Sequence, residues 1–228
     1  MIAAHQTMLA PPALIPPEFT EVEYIQNTGS STATAADYSW IDTGIVPAAD
    51  TIVESRHILV SKISDYPGFY GTASYSTPYQ RMSLCASWGQ TAANKNKPYI
   101  RRGNATGDAI ASVAISNNWV RYVFDGATCT AYDDNGNVLA TMTSSTPTAC
   151  LYPMQIFRDG IVQNGSLRLG SGFGISRCSF FRMSRNGEYQ INLSPVRRGT
   201  EAGFYDFVSK TFFGSANQNA QLVAGPDK

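Results

Sequence analysis

The sequence has few charged residues and no excess of either sign. Asp, Glu, Lys and Arg make up 15% of its 228 residues, against about 25% in typical soluble proteins. Lys and Arg number 17, as do Asp and Glu. This balance argues against nucleic acid as a partner, because phosphate binding needs a basic excess. No apolar run approaches the ~20 residues that cross a bilayer, so we expect no membrane insertion.

Histidine is scarce, and the cysteines lack metal-binding spacing. The two histidines are His5 and His57. The four cysteines lie far apart and form no CxxC pair, so buried thiols are expected rather than a zinc site or disulfides. The sequence predicts no metal and no cofactor.

No set of catalytic residues is visible. A catalytic triad would have to be built on His57, whose β-branched neighbours favour a structural role. Glycoside hydrolysis needs two carboxylates about 5–10 Å apart. Glu21 and Glu23 would lie on the same face of a strand, but Glu21 adjoins the N-terminal leader, residues 1–20. The sequence contains no E-x-D-x-x-E motif. We therefore expect a protein that is not an enzyme.

Residues 1–20 differ in composition from the rest of the chain. The segment PPALIPP (11–17) favours an extended backbone, and the leader lacks the basic start of a secretory signal. It is either a disordered leader or an arm that docks on a neighbouring subunit, since its apolar side chains are costly to leave in water. We predict an assembly arm whose contacts are made by Leu9, Pro11, Pro12, Leu14, Ile15, Pro16, Pro17 and Phe19.

Residues 21–228 show the pattern of one all-β domain. β-Branched and aromatic runs recur about every 8–12 residues between Gly, Asn, Asp and Pro. Asp125-Gly126, Asn135-Gly136 and Asn186-Gly187 each lie between runs that can pair, and a type I′ turn is predicted at Asn135-Gly136. This pattern predicts a two-sheet antiparallel β-sandwich.

The segment DDNGN (133–137) contains ligand types found in calcium loops. It lacks the spaced ligands and the closing Glu of an EF-hand. We therefore interpret it as a plain hairpin tip.

Two segments resemble a known family. Residues 22–47, VEYIQNTGSS…WIDTGIVP, are similar to the EYIESTGTQYIDTG opening of concanavalin-like (laminin-G-like) jelly-roll domains from gut bacteria and their phages. Residues 193–226, LSPVRRGTEAGFYDFVSKTFFGSANQNAQLVAGP, resemble the ending of the same domains. The insertion STATAADYS (31–39) and the sequence NQNAQL depart from the family at probable loops. The resemblance implies a jelly-roll sandwich with no universal catalytic set.

The residues of these motifs have a physical interpretation. Gly29 and Gly44 are expected in turns with positive φ. The closing segment is expected to act as a structural clamp with a hairpin after Asp206. Its aromatic side chains should be buried against the opening strand near Tyr24 and Ile41; these are Phe204, Tyr205 and Phe213.

The resemblance implies a non-enzymatic phage virion structural protein: a capsid decoration, fibre or tail-associated protein, made in the host cytoplasm. Its partners would be other virion proteins and copies of itself. The alternative is a carbohydrate-binding module or adhesin at a bacterial cell surface. In either case an aromatic platform could bind a surface glycan. Its candidate residues are Tyr75, Tyr79, Trp88 and Tyr99.

Overall fold

The computed structural model describes residues 14–29, 37–62, 67–74, 79–86, 96–103, 108–115, 118–163, 166–167 and 174–228. Some predicted residues lie outside these ranges: His5, Leu9, Pro11, Pro12, Tyr75 and Trp88. The described residues form strands and loops without an α-helix, as the sequence pattern predicts. Within them, no helix has the length and apolar character needed to span a membrane.

The described strands range from two to twelve residues in length. In chain order they are β1 (Thr20–Glu21), β2 (Ile25–Gln26), β3 (Ile41–Asp42), β4 (Ile52–Lys62), β5 (Gly68–Ser74), β6 (Arg81–Cys85), β7 (Tyr99–Gly103), β8 (Asp108–Ile110), β9 (Val120–Asp125), β10 (Thr128–Tyr132), β11 (Val138–Thr143), β12 (Gln155–Ile156), β13 (Ile161–Gln163), β14 (Ser166–Leu167), β15 (Gly174–Arg185), β16 (Glu188–Arg198), β17 (Glu201–Asp206), β18 (Phe212–Phe213) and β19 (Val223–Ala224).

These strands make two sheets. Sheet I runs β11-β10-β9-β4-β15-β16-β17-β18, with β1 on β16 and β2 between β15 and β19. Sheet II runs β14-β13-β5-β6-β7-β8, and β12 joins β3 to β5. Among the described strands, β13 pairs with β5 in parallel and the other pairings are antiparallel. The long strands β4 and β15 pair across most of their length and form the centre of sheet I.

The two sheets pack face to face around one hydrophobic core. Phe69 and Tyr70 of β5 project from sheet II, and their rings lie 5.7 Å from Tyr122 and 5.4 Å from Phe181 of sheet I. Aromatic pairs at these centroid distances are favourable beyond the area they bury. The predicted β-sandwich is therefore confirmed at the level of two packed sheets.

The turn signals gave two different outcomes. Asn186 (φ 53°) and Gly187 (φ 81°) both have positive φ and close the β15–β16 hairpin as a type I′ turn. At Asn135-Gly136 a hairpin forms between β10 and β11, but only Gly136 has positive φ (83°) among the two. The predicted type I′ turn is wrong there, because the Asp133 carboxylate caps a longer loop.

The two opening glycines serve different purposes. Gly44 has φ 68°, as predicted for a turn. The prediction of positive φ at Gly29 is wrong. A Cβ at Gly29 would lie 2.2 Å from the Tyr38 ring, so the close approach of that ring requires glycine.

The closing segment is a structural clamp, as predicted. Phe204 and Tyr205 are buried, and Phe213 packs on the core while partly exposed. The buried Asp206 carboxylate accepts hydrogen bonds from the Asn192 backbone N–H at 2.7 Å and from the Ser209 hydroxyl at 2.6 Å. These bonds hold the β17–β18 hairpin against β16.

The predicted packing partners of this segment are only partly correct. Ile41 belongs to the same core cluster as Phe204. Tyr24 lies elsewhere, with its ring 5.9 Å from Trp119.

The end of the leader contacts its own chain. Phe19 was predicted to contact a neighbouring subunit, but its ring lies 5.3 Å from Tyr205 and 5.5 Å from Phe212. This contact covers the outer side of β17 and explains the burial of Tyr205. Leu14 is 89% exposed, whereas Ile15 and Pro16 are partly buried.

All four cysteines lie in the described ranges as buried thiols that form no disulfide, as predicted. Burial raises the pKa of the Cys150 thiol to about 11. The pKa values of Cys129 and Cys178 are raised further by complete burial. All three thiols are therefore protonated and unreactive in the folded protein at neutral pH.

Candidate functional site

The candidate site is centred on Trp119, the residue before β9. Along this strand Val120 and Tyr122 are buried in the core, whereas Arg121 is exposed. Because strand side chains alternate between faces, Trp119 and Arg121 belong to the outer face of sheet I. Trp119 is half-buried there.

Arg56 of β4 fixes one side of the indole. Its guanidinium lies 4.5 Å from the centroid of the Trp119 ring, within the range of a cation–π contact. The same guanidinium donates to the Asp134 carboxylate: Nη2 lies 2.8 Å from Oδ1 and 2.9 Å from Oδ2, and Nε lies 3.0 Å from Oδ1. The pair is partly exposed and so adds little stability. Its effect is to fix a carboxylate beside the indole.

Asp133 shapes the neighbouring turn. Its carboxylate accepts hydrogen bonds from the backbone N–H groups of Asn135 at 2.9 Å and Asn137 at 2.8 Å, and from the Asn137 side-chain amide at 2.8 Å. These donors lower the pKa of Asp133, so the group is charged at neutral pH. The arrangement is that of a hairpin tip. In the described part of the chain, no three His, Cys, Asp or Glu side chains converge as metal ligands.

A groove of about 330 Å³ lies between the indole and this turn, and we call it the polar groove. It is lined by Ile58, Asn118, Trp119, Asp133, Asp134 and Asn135. Within the described ranges, the side-chain amides of Asn118 and Asn135 make no hydrogen bond, and neither does the indole N–H. The groove therefore combines an aromatic surface with carboxylates and uncommitted amides.

A second groove, of about 300 Å³, adjoins the first, and we call it the apolar groove. Its walls are mostly aliphatic: Val113, Ala114, Ile115 and Leu139. Asn118, Trp119 and Asp133 line both grooves. The indole thus stands where a polar and an apolar depression meet.

A third groove of about 460 Å³ reaches the C-terminus on another side of Trp119. It is lined by Glu23, Arg56, Trp119, Ser179, Phe180 and Lys228. Lys228 lies 2.6 Å from Glu21, and Arg56 is paired with Asp134. Both cations of this groove are therefore paired, whereas Glu23 adds an exposed carboxylate to its lining.

Of the four aromatic residues predicted to bind a ligand, the structure describes two. Tyr99 is fully buried, with the Arg101 guanidinium 5.1 Å from its ring centroid and Arg101 paired to the buried Asp159 at 3.2 Å. The prediction of a surface role for Tyr99 is therefore wrong, because both faces of β7 are covered. Tyr79 is 38% exposed and does not line the grooves at Trp119.

Trp119 is not among the residues predicted from the sequence, although the sequence contains a signal for it. The alternation in WVRYVF (119–124) places Trp119 on the parity opposite to Val120 and Tyr122. The polar turn 133–137 follows β10, which pairs with β9. What the local pattern does not reveal is that β4 lies beside β9 and brings Arg56 to the indole.

The residues considered for catalysis lie in different environments. His57 is fully buried, with its ring 4.7 Å from Phe69, and burial lowers its pKa to about 3. The imidazole is therefore neutral and remote from solvent. Glu21 is ion-paired to Lys228, whereas Glu23 is exposed in the third groove.

Comparison with known proteins gives no family assignment. No protein-family model matches the chain, and no curated protein matches its sequence. The likeness to concanavalin-like domains therefore rests on the two motifs quoted above.

Proposed function

We propose that this chain is a non-enzymatic phage virion structural protein whose sandwich binds a host-surface glycan at Trp119. One observation carries the glycan assignment. The indole borders a groove of about 330 Å³ that also presents two carboxylates and two side-chain amides, which make no hydrogen bond within the described ranges.

This set of groups matches the chemistry of a sugar. The C–H face of a pyranose ring is apolar and packs on an aromatic surface. Its hydroxyls donate to carboxylates such as Asp134 and accept from amides such as those of Asn118 and Asn135. Small-molecule sites begin at about 300 Å³, so the polar groove suits one sugar unit of a longer chain.

The location on a virion is supported by the family resemblance of the opening and closing motifs. The same resemblance supports a concanavalin-like jelly-roll connection of the two sheets. The pairing of β4 with β9 and β15, both distant in sequence, suits such a connection. An adhesin or carbohydrate-binding module at a bacterial surface is the alternative location for the same glycan site.

Trp119→Ala tests the glycan assignment. Loss of a central aromatic contact costs about 2 kcal/mol or more at binding sites, so affinity should fall by about 30-fold. A glycan array would identify bound sugars, and calorimetric titration of the best one would give the affinities. The matched control is Tyr79→Ala, which removes another partly exposed aromatic ring.

The control should bind like the unmodified protein. If Tyr79→Ala lost binding while Trp119→Ala bound fully, the glycan site would lie away from Trp119. A blank array with folded protein would reject glycan recognition.

We also propose that residues 1–20 anchor the protein in its assembly and mediate self-association. The exposure of Leu14 supports this proposal, since an apolar side chain in water gains from docking. Deleting residues 1–17 retains the Phe19 contact with β17 and β18. The truncated chain should therefore keep its melting temperature but lose oligomers in light scattering after size exclusion. Persistence of those oligomers would contradict the proposed arm.

A further inference from the structure

We infer that the glycan bound at Trp119 carries an N-acetylated amino sugar, with the acetamido methyl group in the apolar groove. This inference rests on the proposed glycan function and adds the ligand class to it. Its basis is the junction of two grooves of opposite polarity at one indole ring.

Because the two grooves share part of their lining, one sugar unit bound at Trp119 contacts both of them. Asn118, Trp119 and Asp133 border the polar groove and the apolar groove alike. A pyranose that packs on the indole and directs hydroxyls toward Asp134 and Asn135 therefore places a ring substituent on the other side. That side is the apolar groove.

The apolar groove selects what this substituent is. Val113 is 45% exposed and Leu139 is 37% exposed, and Ile115 packs on the hydrophobic core beneath them. A hydroxyl directed toward these aliphatic side chains would exchange water for apolar contacts, which is costly. A methyl group would instead remove apolar surface from water on both molecules.

Asn118 supplies the polar complement of an acetamido group. Its side chain lies on the rim common to both grooves and makes no hydrogen bond in the described part of the chain. A primary amide both donates and accepts hydrogen bonds. It can therefore pair with the N–H or C=O of an acetamido group whose methyl points toward Leu139.

The test compares sugars that differ only in this group. Triacetylchitotriose and cellotriose have the same linkage but differ in carrying an acetamido group or a hydroxyl on each ring. Other pairs of array glycans that differ only in this group extend the comparison to other sugars. One apolar carbon in a hydrophobic pocket is worth roughly 10–200-fold. Because the groove is open to solvent, we expect an effect at the lower end of this range. The acetylated sugar should bind with about tenfold higher affinity than its unacetylated counterpart in calorimetric titration.

Leu139→Ser tests whether the apolar groove causes the preference. This variant should reduce the preference to less than about threefold while the unacetylated sugar binds as before. Leu151→Ser is the matched control, since Leu151 is 49% exposed and does not line these grooves. It should leave the preference unchanged.

The outcomes separate the two proposals. Equal binding of acetylated and unacetylated sugars, or a preference that survives Leu139→Ser, overturns the inference and leaves glycan binding intact. Absence of binding to every glycan rejects the proposed function and the inference with it.

Discussion

Replacing Arg102 by alanine is expected to lower the free energy of unfolding by about 3–5 kcal/mol. Arg102 is fully buried on β7. Its guanidinium donates to backbone carbonyls of three separate loops, those of Ala48, Ala49, Gly126 and Thr148. Alanine would leave these part-buried acceptors without the guanidinium, and each one that water does not reach would cost about 1–3 kcal/mol. It would also leave a cavity beside Phe124, whose ring centroid lies 5.9 Å from the guanidinium.

Urea unfolding followed by tryptophan fluorescence would measure the effect. Arg102→Lys should be intermediate, since an ammonium keeps the charge but cannot reach acceptors arranged around a planar guanidinium. Arg197→Ala is the control, because its partly exposed ion pair with Asp227 at 2.7 Å should contribute less than about 1 kcal/mol. A loss below about 1 kcal/mol for Arg102→Ala would mean that water replaces the guanidinium at no cost.

Arg102 illustrates what the sequence pattern can and cannot predict. In YIRRG (99–103), strand alternation places Arg102 on the same face as Ile100, which is in the core. A charged residue at a core-facing position of a strand contradicts the simple alternation of polar and apolar residues. The contradiction is resolved by carbonyls from three distant loops, whose meeting depends on the completed sandwich.

Local features of the fold were predictable because they depend on adjacent residues. The Asn186-Gly187 turn forms as expected from its two residues alone. The loop at Asn135-Gly136 departs from expectation because a side chain two positions earlier, Asp133, competes for the backbone donors. Such capping is a local signal too, since Asp133 lies only two residues before Asn135 in the sequence.

The candidate site could not be predicted because it is built from non-local pairs. Trp119 and Asp134 come from one hairpin region, but Arg56 reaches them from β4 through the pairing of β4 with β9. The prediction of Tyr99 as a ligand-binding residue is wrong for a related reason. Alternation assigns it a face of β7, yet only the tertiary structure shows that this face is covered.

Phe204→Ala should reduce the free energy of unfolding by about 3–5 kcal/mol, the usual cost of truncating a buried phenylalanine. The Phe204 ring is fully buried in the core cluster. Its backbone lies between Pro195 of β16 and Phe213 of β18, so the strand has little freedom to collapse into the space. The remaining cavity therefore adds to the lost transfer free energy.

Two variants calibrate this result. Phe204→Leu conserves most of the volume and should cost less than about 1.5 kcal/mol. Phe213→Ala should cost less than Phe204→Ala, because Phe213 is only partly buried. All three can be measured by urea unfolding at one protein concentration.

The Phe204 result also bears on the resemblance to concanavalin-like domains. The closing motif was interpreted as the segment that completes the sandwich, and Phe204 is its most buried aromatic residue. A cost above 3 kcal/mol would show that β17 is part of the cooperative core. A cost below about 1 kcal/mol would mean that β17 is a peripheral strand, and the motif would then lose its role in closing the fold.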